Sequence, residues 1–93
     1  MRKVMMYSTD TCPYCVQARR LLADKGVEVM EIKINAAPGK LKEMIDMTGR
    51  RSVPQIFIGD THVGGYDDLS ALERAGQLDA MLASGQDAVI HNM

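Results

Sequence analysis

The chain has 93 residues, of which 46% are hydrophobic, and its 11 basic and 12 acidic residues give a formal charge of -1. A chain of this length forms one domain at most, and its balanced charge argues against nucleic acid as a partner. No segment approaches the roughly 18 apolar residues of a membrane helix, and the apolar stretch near the N-terminus is too short for a signal peptide. We therefore expect a cytoplasmic protein with no membrane partner, with one domain over residues 1–84 and a disordered tail over residues 85–93.

The first half of the chain predicts a βαβ unit. Lys3–Ser8 is a short, mostly apolar run that indicates a strand, and Val27–Ile34, rich in β-branched residues, indicates a second. Between them, residues 13–25 carry apolar residues at helical spacing, with Pro13 in the first turn and Gly26 as the C-terminal stop. Two strands joined in this way are parallel, with a right-handed crossover.

The second half predicts a helix, a hairpin and a final helix. An apolar stripe after residue 40 ends at Gly49, which indicates the second helix. Gln55–Ile58 and Thr61–Gly64 are short runs separated by Gly-Asp, a tight-hairpin signal. Helical spacing then continues from residue 67 to about residue 83, and Gly76 divides it into two pieces. The predicted fold is therefore α/β, with a mixed four-stranded sheet flanked by helices in the order β-α-β-α-β-β-α.

The two cysteines, Cys12 and Cys15, lie at the junction of the first strand and the first helix. A Cys-x-x-Cys at that place in such a pattern points to a thioredoxin-like redox fold. Free N–H groups at a helix N-terminus stabilise a thiolate, so we expect Cys12 to be the reachable nucleophile. Cys15, one turn deeper, would be more buried and would attack a mixed disulfide formed on Cys12. That assigns Cys12 as nucleophile and Cys15 as resolving thiol.

Two other interpretations of the cysteines are weaker. A structural disulfide between them would close too small a loop to restrain the unfolded chain, and such staples are rare in a reducing cytosol. The pair could also form half of a zinc site, with His62 and His91 as the remaining candidate ligands. These histidines do not have a ligand spacing, so we expect no metal site.

Four motifs give the chain a specific resemblance. They are Tyr7, TCPYC at Thr11–Cys15, SVPQIFI at Ser52–Ile58 and GGYDDL at Gly64–Leu69. With them the chain resembles a small bacterial dithiol glutaredoxin over nearly its whole length. The resemblance implies a glutathione-dependent thiol–disulfide oxidoreductase that acts on disulfide-bonded or glutathionylated proteins. It also implies a monomer with glutathione as co-substrate and no tightly bound cofactor.

The resemblance further implies a glutathione site in three parts. The Val53–Pro54 bond would be cis and Val53 would pair with the backbone of the glutathione cysteine, although the sequence alone equally allows a trans turn proline. The N–H groups of Tyr66 and Asp67 suit the γ-glutamyl carboxylate and Asp68 its ammonium, although a hairpin exit followed by an N-cap would look the same. An arginine before Val53 would take the glycyl carboxylate, unless the two arginines there only form a solvated turn. The full predicted set is Tyr14, Arg50, Arg51, Ser52, Val53, Pro54, Gly65, Tyr66, Asp67 and Asp68.

Two departures from the family pattern affect this site. The family often has a Lys where Thr9 stands, so the arginine pair could carry more of the positive charge. It also often has a third Cys where Tyr66 stands, and Tyr66 could instead cover the bound tripeptide, as Tyr14 could shield the thiols. The alternative function within this family is a dimer that holds an iron–sulfur cluster through Cys12 and two glutathiones. Cluster-carrying relatives usually replace the second Cys with Ser and the Pro-Tyr between with Gly-Phe, which argues against it here.

The methionines and His62 invite other functions, but we expect ordinary roles for them. Five of the eight methionines fall on apolar strand or helix positions and are predicted to fill the core: Met5, Met6, Met30, Met44 and Met47. His62, in a short strand, is predicted to be exposed rather than catalytic.

Overall fold

The structure is a computed structural model that describes residues 3–83. Its elements follow the predicted order: β1 Val4–Ser8, α1 Pro13–Asp24, β2 Val29–Lys33, α2 Lys40–Thr48, β3 Gln55–Ile58, β4 Thr61–Gly64 and α3 Tyr66–Arg74. Residues 78–83 are also helical, and a turn that contains Gly76 separates them from α3, as predicted. The predicted tail, residues 85–93, and the domain boundary at residue 84 lie outside the described residues.

The four strands form one mixed sheet in the order β2-β1-β3-β4. β1 is parallel to β2, as the crossover through α1 requires, and antiparallel to β3. β3 and β4 form the predicted antiparallel hairpin. The predicted fold class, a mixed four-stranded sheet flanked by helices, is therefore confirmed.

Successive residues of the central strands point to opposite faces of the sheet, and both faces carry buried apolar side chains. Helices therefore cover both faces. One buried cluster joins β1 and β3 to α1 and α3 and includes Met6, Cys15, Leu22, Ile56 and Leu69. The other cluster joins the same strands to α2 through Tyr7, Phe57 and Met44. Helix α1 is thus fixed to the sheet by its own core residues, and Cys15 is one of them.

Two of the core predictions are wrong. Met30 and Met47 are exposed, whereas Met6 and Met44 are fully buried and Met5 is partly buried. Met30 lies on β2, an edge strand with a neighbour on one side only.

His62 is also less exposed than predicted, because its ring packs against Phe57 with the centroids 5.0 Å apart.

Within residues 3–83 no helix has both the length and the apolar character needed to cross a bilayer.

Candidate active site

Cys12 occupies the N-cap position of α1, with extended backbone dihedrals of φ -102° and ψ 108°. Its Sγ accepts a hydrogen bond from the N–H of Cys15 at 3.1 Å. Pro13 follows as the first helical residue, where its lack of an N–H removes no helical hydrogen bond. Since the first-turn N–H groups have no helical acceptor, the helix end favours negative charge on the Cys12 sulfur.

The two thiols lie at different depths. Both belong to the same buried cluster, but Cys12 is 9% exposed whereas Cys15 is 0% exposed. Burial raises the pKa of the Cys15 thiol to about 12, with a smaller contribution from its hydrogen bond with Cys12. Both thiols are free, so the cysteine pair is in its reduced form. Cys15 therefore holds its proton at neutral pH.

The loop before β3 lies opposite Cys12. The Cys12 thiol is 3.6 Å from the carbonyl oxygen of Val53, to which it can donate its proton. The Val53–Pro54 bond is cis, as the resemblance implies. The backbone of this loop is therefore in direct contact with the Cys12 sulfur.

A groove of about 270 Å³ begins at this loop. Three segments form its walls: the loop before β3, the first turn of α3, and Tyr14 at the start of α1. Its lining consists of Tyr14, Arg50, Ser52, Val53, Pro54, Gly65, Tyr66, Asp67 and Asp68. The structure thus brings together nine of the ten predicted binding residues. Arg51 is exposed and is not part of the lining.

The first turn of α3 presents both donors and a carboxylate to the groove. The N–H of Gly65 donates to Asp68 Oδ2 at 3.0 Å, which closes the N-cap. That hydrogen bond, and secondarily the Arg50 guanidinium, lowers the pKa of Asp68 below its ordinary value. Gly64 has a positive φ of 116°, and a Cβ there would overlap the Asp68 carboxylate. Asp68 is therefore ionised and held in one place.

Arg50 crosses the groove to this carboxylate. Its Nη1 lies 3.2 Å from Asp68 Oδ2, and both side chains are about half exposed. Such a pair contributes little stability because water screens it. Arg50 can therefore exchange Asp68 for another carboxylate at small cost.

Two tyrosines line the groove. The rings of Tyr14 and Tyr66 are stacked, with centroids 6.3 Å apart and an interplanar angle of 26°. Tyr14 is 57% exposed. The stacked pair joins the start of α1 to the start of α3 and forms an apolar rim on the groove.

A group of charged side chains lies between α1 and β2, and the sequence did not predict it. Arg19 forms two hydrogen bonds to Glu31 of β2, which also accepts from the Ser8 hydroxyl. Lys33 reaches Asp10 at 3.1 Å in the loop that precedes Cys12. This lysine brings a cation to the loop in which Thr9 replaces the family's usual Lys.

One polar residue near the site was also missed. Gln55, the first residue of β3, is fully buried and bonds both to the Ser52 carbonyl, at 3.0 Å, and to His62. The sequence signal was a polar residue directly after Val-Pro at the start of an apolar strand.

The other candidate interpretation of the cysteines, a metal site, has no support within residues 3–83, where no three His, Cys, Asp or Glu side chains are grouped to hold a metal ion. His91 lies outside the described residues.

Comparison with known proteins gives consistent matches. The glutaredoxin family profile matches residues 4–63. A glutaredoxin from Pseudomonas aeruginosa is 51% identical over 84 residues, which cover 90% of this chain and 100% of that protein. The buckwheat glutaredoxin–glutathione complex superimposes with a TM-score of 0.83 at 28% identity, over 89% of this chain and 78% of that one. A further solved structure, described as metal binding of glutaredoxins, is 51% identical with a TM-score of 0.68, over 88% of this chain and 89% of that one.

Proposed function

The chain belongs to the glutaredoxin family, and we propose that it is a glutathione-dependent oxidoreductase that reduces protein disulfides and protein–glutathione mixed disulfides. One observation carries the proposal: a thiol at a helix N-cap, supported by the N–H of Cys15, faces Val53 on the wall of a groove. The groove combines backbone donors, an ionised carboxylate and an arginine. A γ-glutamyl tripeptide carries two carboxylates and one ammonium, which match that set.

With a glutathionylated protein, Cys12 alone performs the chemistry. Its thiolate attacks the sulfur of the bound glutathione and the protein leaves as a thiolate, so a Cys12–glutathione disulfide forms as the original disulfide breaks. A second glutathione thiolate attacks that disulfide, releases oxidised glutathione and restores the Cys12 thiolate. The helix end favours the sulfur anion both as nucleophile and as leaving group.

With a protein disulfide, Cys15 is also required. Cys12 attacks one protein sulfur and forms a mixed disulfide, and the other protein sulfur leaves as a thiolate. Cys15 then loses its proton and attacks the Cys12 sulfur, which releases the protein and leaves a Cys12–Cys15 disulfide. Two glutathiones reduce this bond and are themselves oxidised to one glutathione disulfide.

Each part of glutathione has a proposed partner in the groove. The backbone of its cysteine pairs with Val53, which already lies against the Cys12 sulfur. The γ-glutamyl carboxylate lies on the N–H groups of Tyr66 and Asp67 at the start of α3, and its ammonium pairs with Asp68. Gly65 lies close enough to the Pro54 carbonyl that an added Cβ would be 3.5 Å from it, so the groove is narrow there.

Arg50 must move for this arrangement to form. It now pairs with Asp68, which the proposal assigns to the glutathione ammonium. On binding, the ligand ammonium replaces Arg50 at Asp68, and Arg50 turns to a ligand carboxylate. Arg50 is the arginine we assign to the ligand, because Arg51 lies outside the groove lining.

An NMR comparison of two states of one variant tests the site. The Cys15→Ser variant is converted to its Cys12–glutathione disulfide, and ¹⁵N chemical shifts are compared with those of the reduced variant. We expect the largest changes at Val53 and in the first turn of α3. Residues of the Gly59-Asp60 turn, at the end of β3 far from Val53, serve as the internal control and their signals should not move. Changes spread evenly over the chain, or none near Val53, would contradict the proposal.

A cluster-binding dimer is the second candidate, because a glutaredoxin 51% identical to this chain was described for metal binding. The residues fit this function poorly: Tyr14 stands 57% exposed beside Cys12, on the surface that a second copy would have to approach. A visible absorption spectrum and the oligomeric state of freshly purified protein separate the two candidates. A colourless monomer supports the enzyme, and a coloured dimer supports the cluster protein.

We further propose that the enzyme works in the cytoplasm, where glutathione is abundant and reduced.

A further inference from the structure

The buried side-chain amide of Gln55 connects Ser52, in the loop before β3, to His62 in β4. The proposed mechanism gives this connection no role. Gln55 is fully buried at the start of β3. Its Nε2 donates to the Ser52 carbonyl at 3.0 Å and lies 3.3 Å from the Ser52 hydroxyl. On its other side, its Oε1 lies 2.8 Å from Nε2 of His62 in β4. A buried amide needs partners for both ends, and these contacts supply them.

The Ser52 carbonyl sets the direction of this amide, because a carbonyl oxygen can only accept a hydrogen bond and therefore faces the Gln55 Nε2 donor. Oε1 can only accept, so the His62 ring must carry its proton on Nε2 and donate it. With the amide reversed, Gln55 would turn its oxygen toward the Ser52 carbonyl, and two acceptors would face each other. The ring is fixed by packing on Phe57, 5.0 Å between centroids. Burial, and secondarily the cation of Arg50, lowers the pKa of His62, while Asp68 opposes this.

The other end of the connection reaches the nucleophile. Ser52 adjoins Val53, whose carbonyl lies 3.6 Å from the Cys12 sulfur, and both residues line the groove. The loop that contains them has neither helical nor strand hydrogen bonds of its own at residues 50–54. The Gln55 amide is therefore a side-chain anchor that ties this loop to the sheet.

We propose that His62 and Gln55 are positioning residues: they hold the Ser52–Val53 peptide against Cys12 and so set how tightly the groove binds its ligand. The identity of that ligand, glutathione, rests on the proposed function. His62 is not part of the groove lining, so its proposed route to the ligand is the hydrogen bond to Gln55.

Three variants test the connection. His62→Phe keeps the packing on Phe57 but removes the donor, His62→Gln places an amide N–H near the position of Nε2, and Thr61→Val alters the exposed neighbour in the same strand. In ligand-free protein, we expect His62→Phe to shift the ¹⁵N signals of Ser52, Val53 and the Gln55 side-chain amide. His62→Gln should largely restore them, and Thr61→Val should leave them unchanged. Should His62→Phe fail to fold, His62→Asn, whose shorter amide cannot reach Gln55, replaces it.

Kinetics supply the second measurement. Loss of one anchoring hydrogen bond should raise the KM for glutathione about fivefold in His62→Phe. We expect kcat to change less than twofold, since the thiols are untouched, and His62→Gln to recover the wild-type KM. Unshifted Ser52 and Val53 signals, or an unchanged KM despite a lower melting temperature, would overturn the proposal. If instead the wild-type chain reduced no glutathionylated substrate, the proposed function would fail, while the ligand-free spectra would still decide whether His62 positions the loop.

Discussion

The backbone N–H of Cys15 donates a 3.1 Å hydrogen bond to the sulfur of Cys12, while the side chain of Cys15 is fully buried. One residue thus contributes in two separate ways. Its backbone supports Cys12, the proposed nucleophile, whatever its side chain, and burial raises the pKa of its thiol, which stays protonated at neutral pH. The first contribution survives substitution of the side chain, and the second does not.

The raised pKa of Cys15 predicts how the resolving step depends on pH. A thiol whose pKa lies near 12 is almost fully protonated below pH 9. Its thiolate fraction, and with it the resolution rate, should therefore rise about tenfold per pH unit between pH 6 and 8. One equivalent of an aromatic disulfide loads a thionitrobenzoate group on Cys12, and stopped-flow absorbance follows its release by Cys15. The Cys15→Ser variant controls for release by solvent, and a rate that does not change with pH would contradict the assignment.

The two adjacent arginines predict a contrast in glutathione binding. Arg50 lines the groove and can turn to a ligand carboxylate, whereas Arg51 lies outside it. Because a charge-assisted hydrogen bond is lost, Arg50→Gln should raise the KM for glutathione about tenfold. Arg51→Gln removes the same charge from the neighbouring position and should raise it less than about threefold, through the loss of long-range attraction alone. Equal effects of the two changes would mean that only net charge matters.

Gly64 predicts a combined effect on stability and binding. Alanine there meets both an unfavourable φ of 116° and the Asp68 carboxylate, whereas Gly49 has a positive φ of 73° with open space around it. Gly49→Ala should lower the free energy of unfolding by about 1 kcal/mol and leave the kinetics unchanged. Gly64→Ala should lower it by more, and should also raise the KM for glutathione because Asp68 is displaced. Urea unfolding and steady-state kinetics on both variants test this, and a Gly64→Ala enzyme with wild-type KM would contradict it.

The ion pair behind α1 predicts a loss of stability in acid. Hydrogen bonds from Arg19 lower the pKa of Glu31 to about 2, against the opposing effect of burial. A lowered carboxylate pKa stabilises the folded state above the ordinary value near 4.5, and this stability is lost as pH falls from there toward 2. Glu31→Gln should therefore lower the free energy of unfolding at pH 7 by about 1–2 kcal/mol, less than the full shift implies because solvent screens the pair.

The measurement for this pair is urea unfolding at pH 7 and at pH 3. The difference between wild type and Glu31→Gln should shrink at the lower pH, because at pH 3 Glu31 is protonated in the unfolded chain but still mostly ionised in the folded one. Asp46→Asn, which breaks the exposed Lys42–Asp46 pair of α2, is the matched control and should change stability by less than about 0.5 kcal/mol. A difference for Glu31→Gln that is independent of pH would show that the carboxylate charge is not what stabilises the fold.

The order of the elements could be predicted because its signals are local. Gly49 ends α2 and the Gly59-Asp60 turn sets the β3–β4 hairpin, and each acts within a few residues of the boundary it fixes. Exposure on an edge strand is not local, so Met30 was wrongly predicted to be buried. The position of β2 at the sheet edge depends on pairing among strands that are distant in sequence.

The candidate site was predictable in its members but not in its contacts. The groove residues lie in short motifs, and it was the family resemblance that brought these motifs together. Side-chain pairs between distant elements left no periodic signal, which is why the Arg50–Asp68 and Gln55–His62 contacts were missed. They depend on the register of β3 against β4 and on the entry into α3, which only the folded chain fixes.

The most direct test of the account compares Cys12→Ser and Cys15→Ser on two substrates, a glutathione mixed disulfide and a protein disulfide. Cys12→Ser should be inactive on both, because it lacks the thiol that lies against Val53, and the other thiol, that of Cys15, is fully buried. Cys15→Ser keeps the N–H that supports Cys12, so it should still reduce the glutathione mixed disulfide while losing activity on the protein disulfide. A Cys15→Ser enzyme as inactive as Cys12→Ser on the glutathione mixed disulfide would contradict the roles assigned to the two thiols.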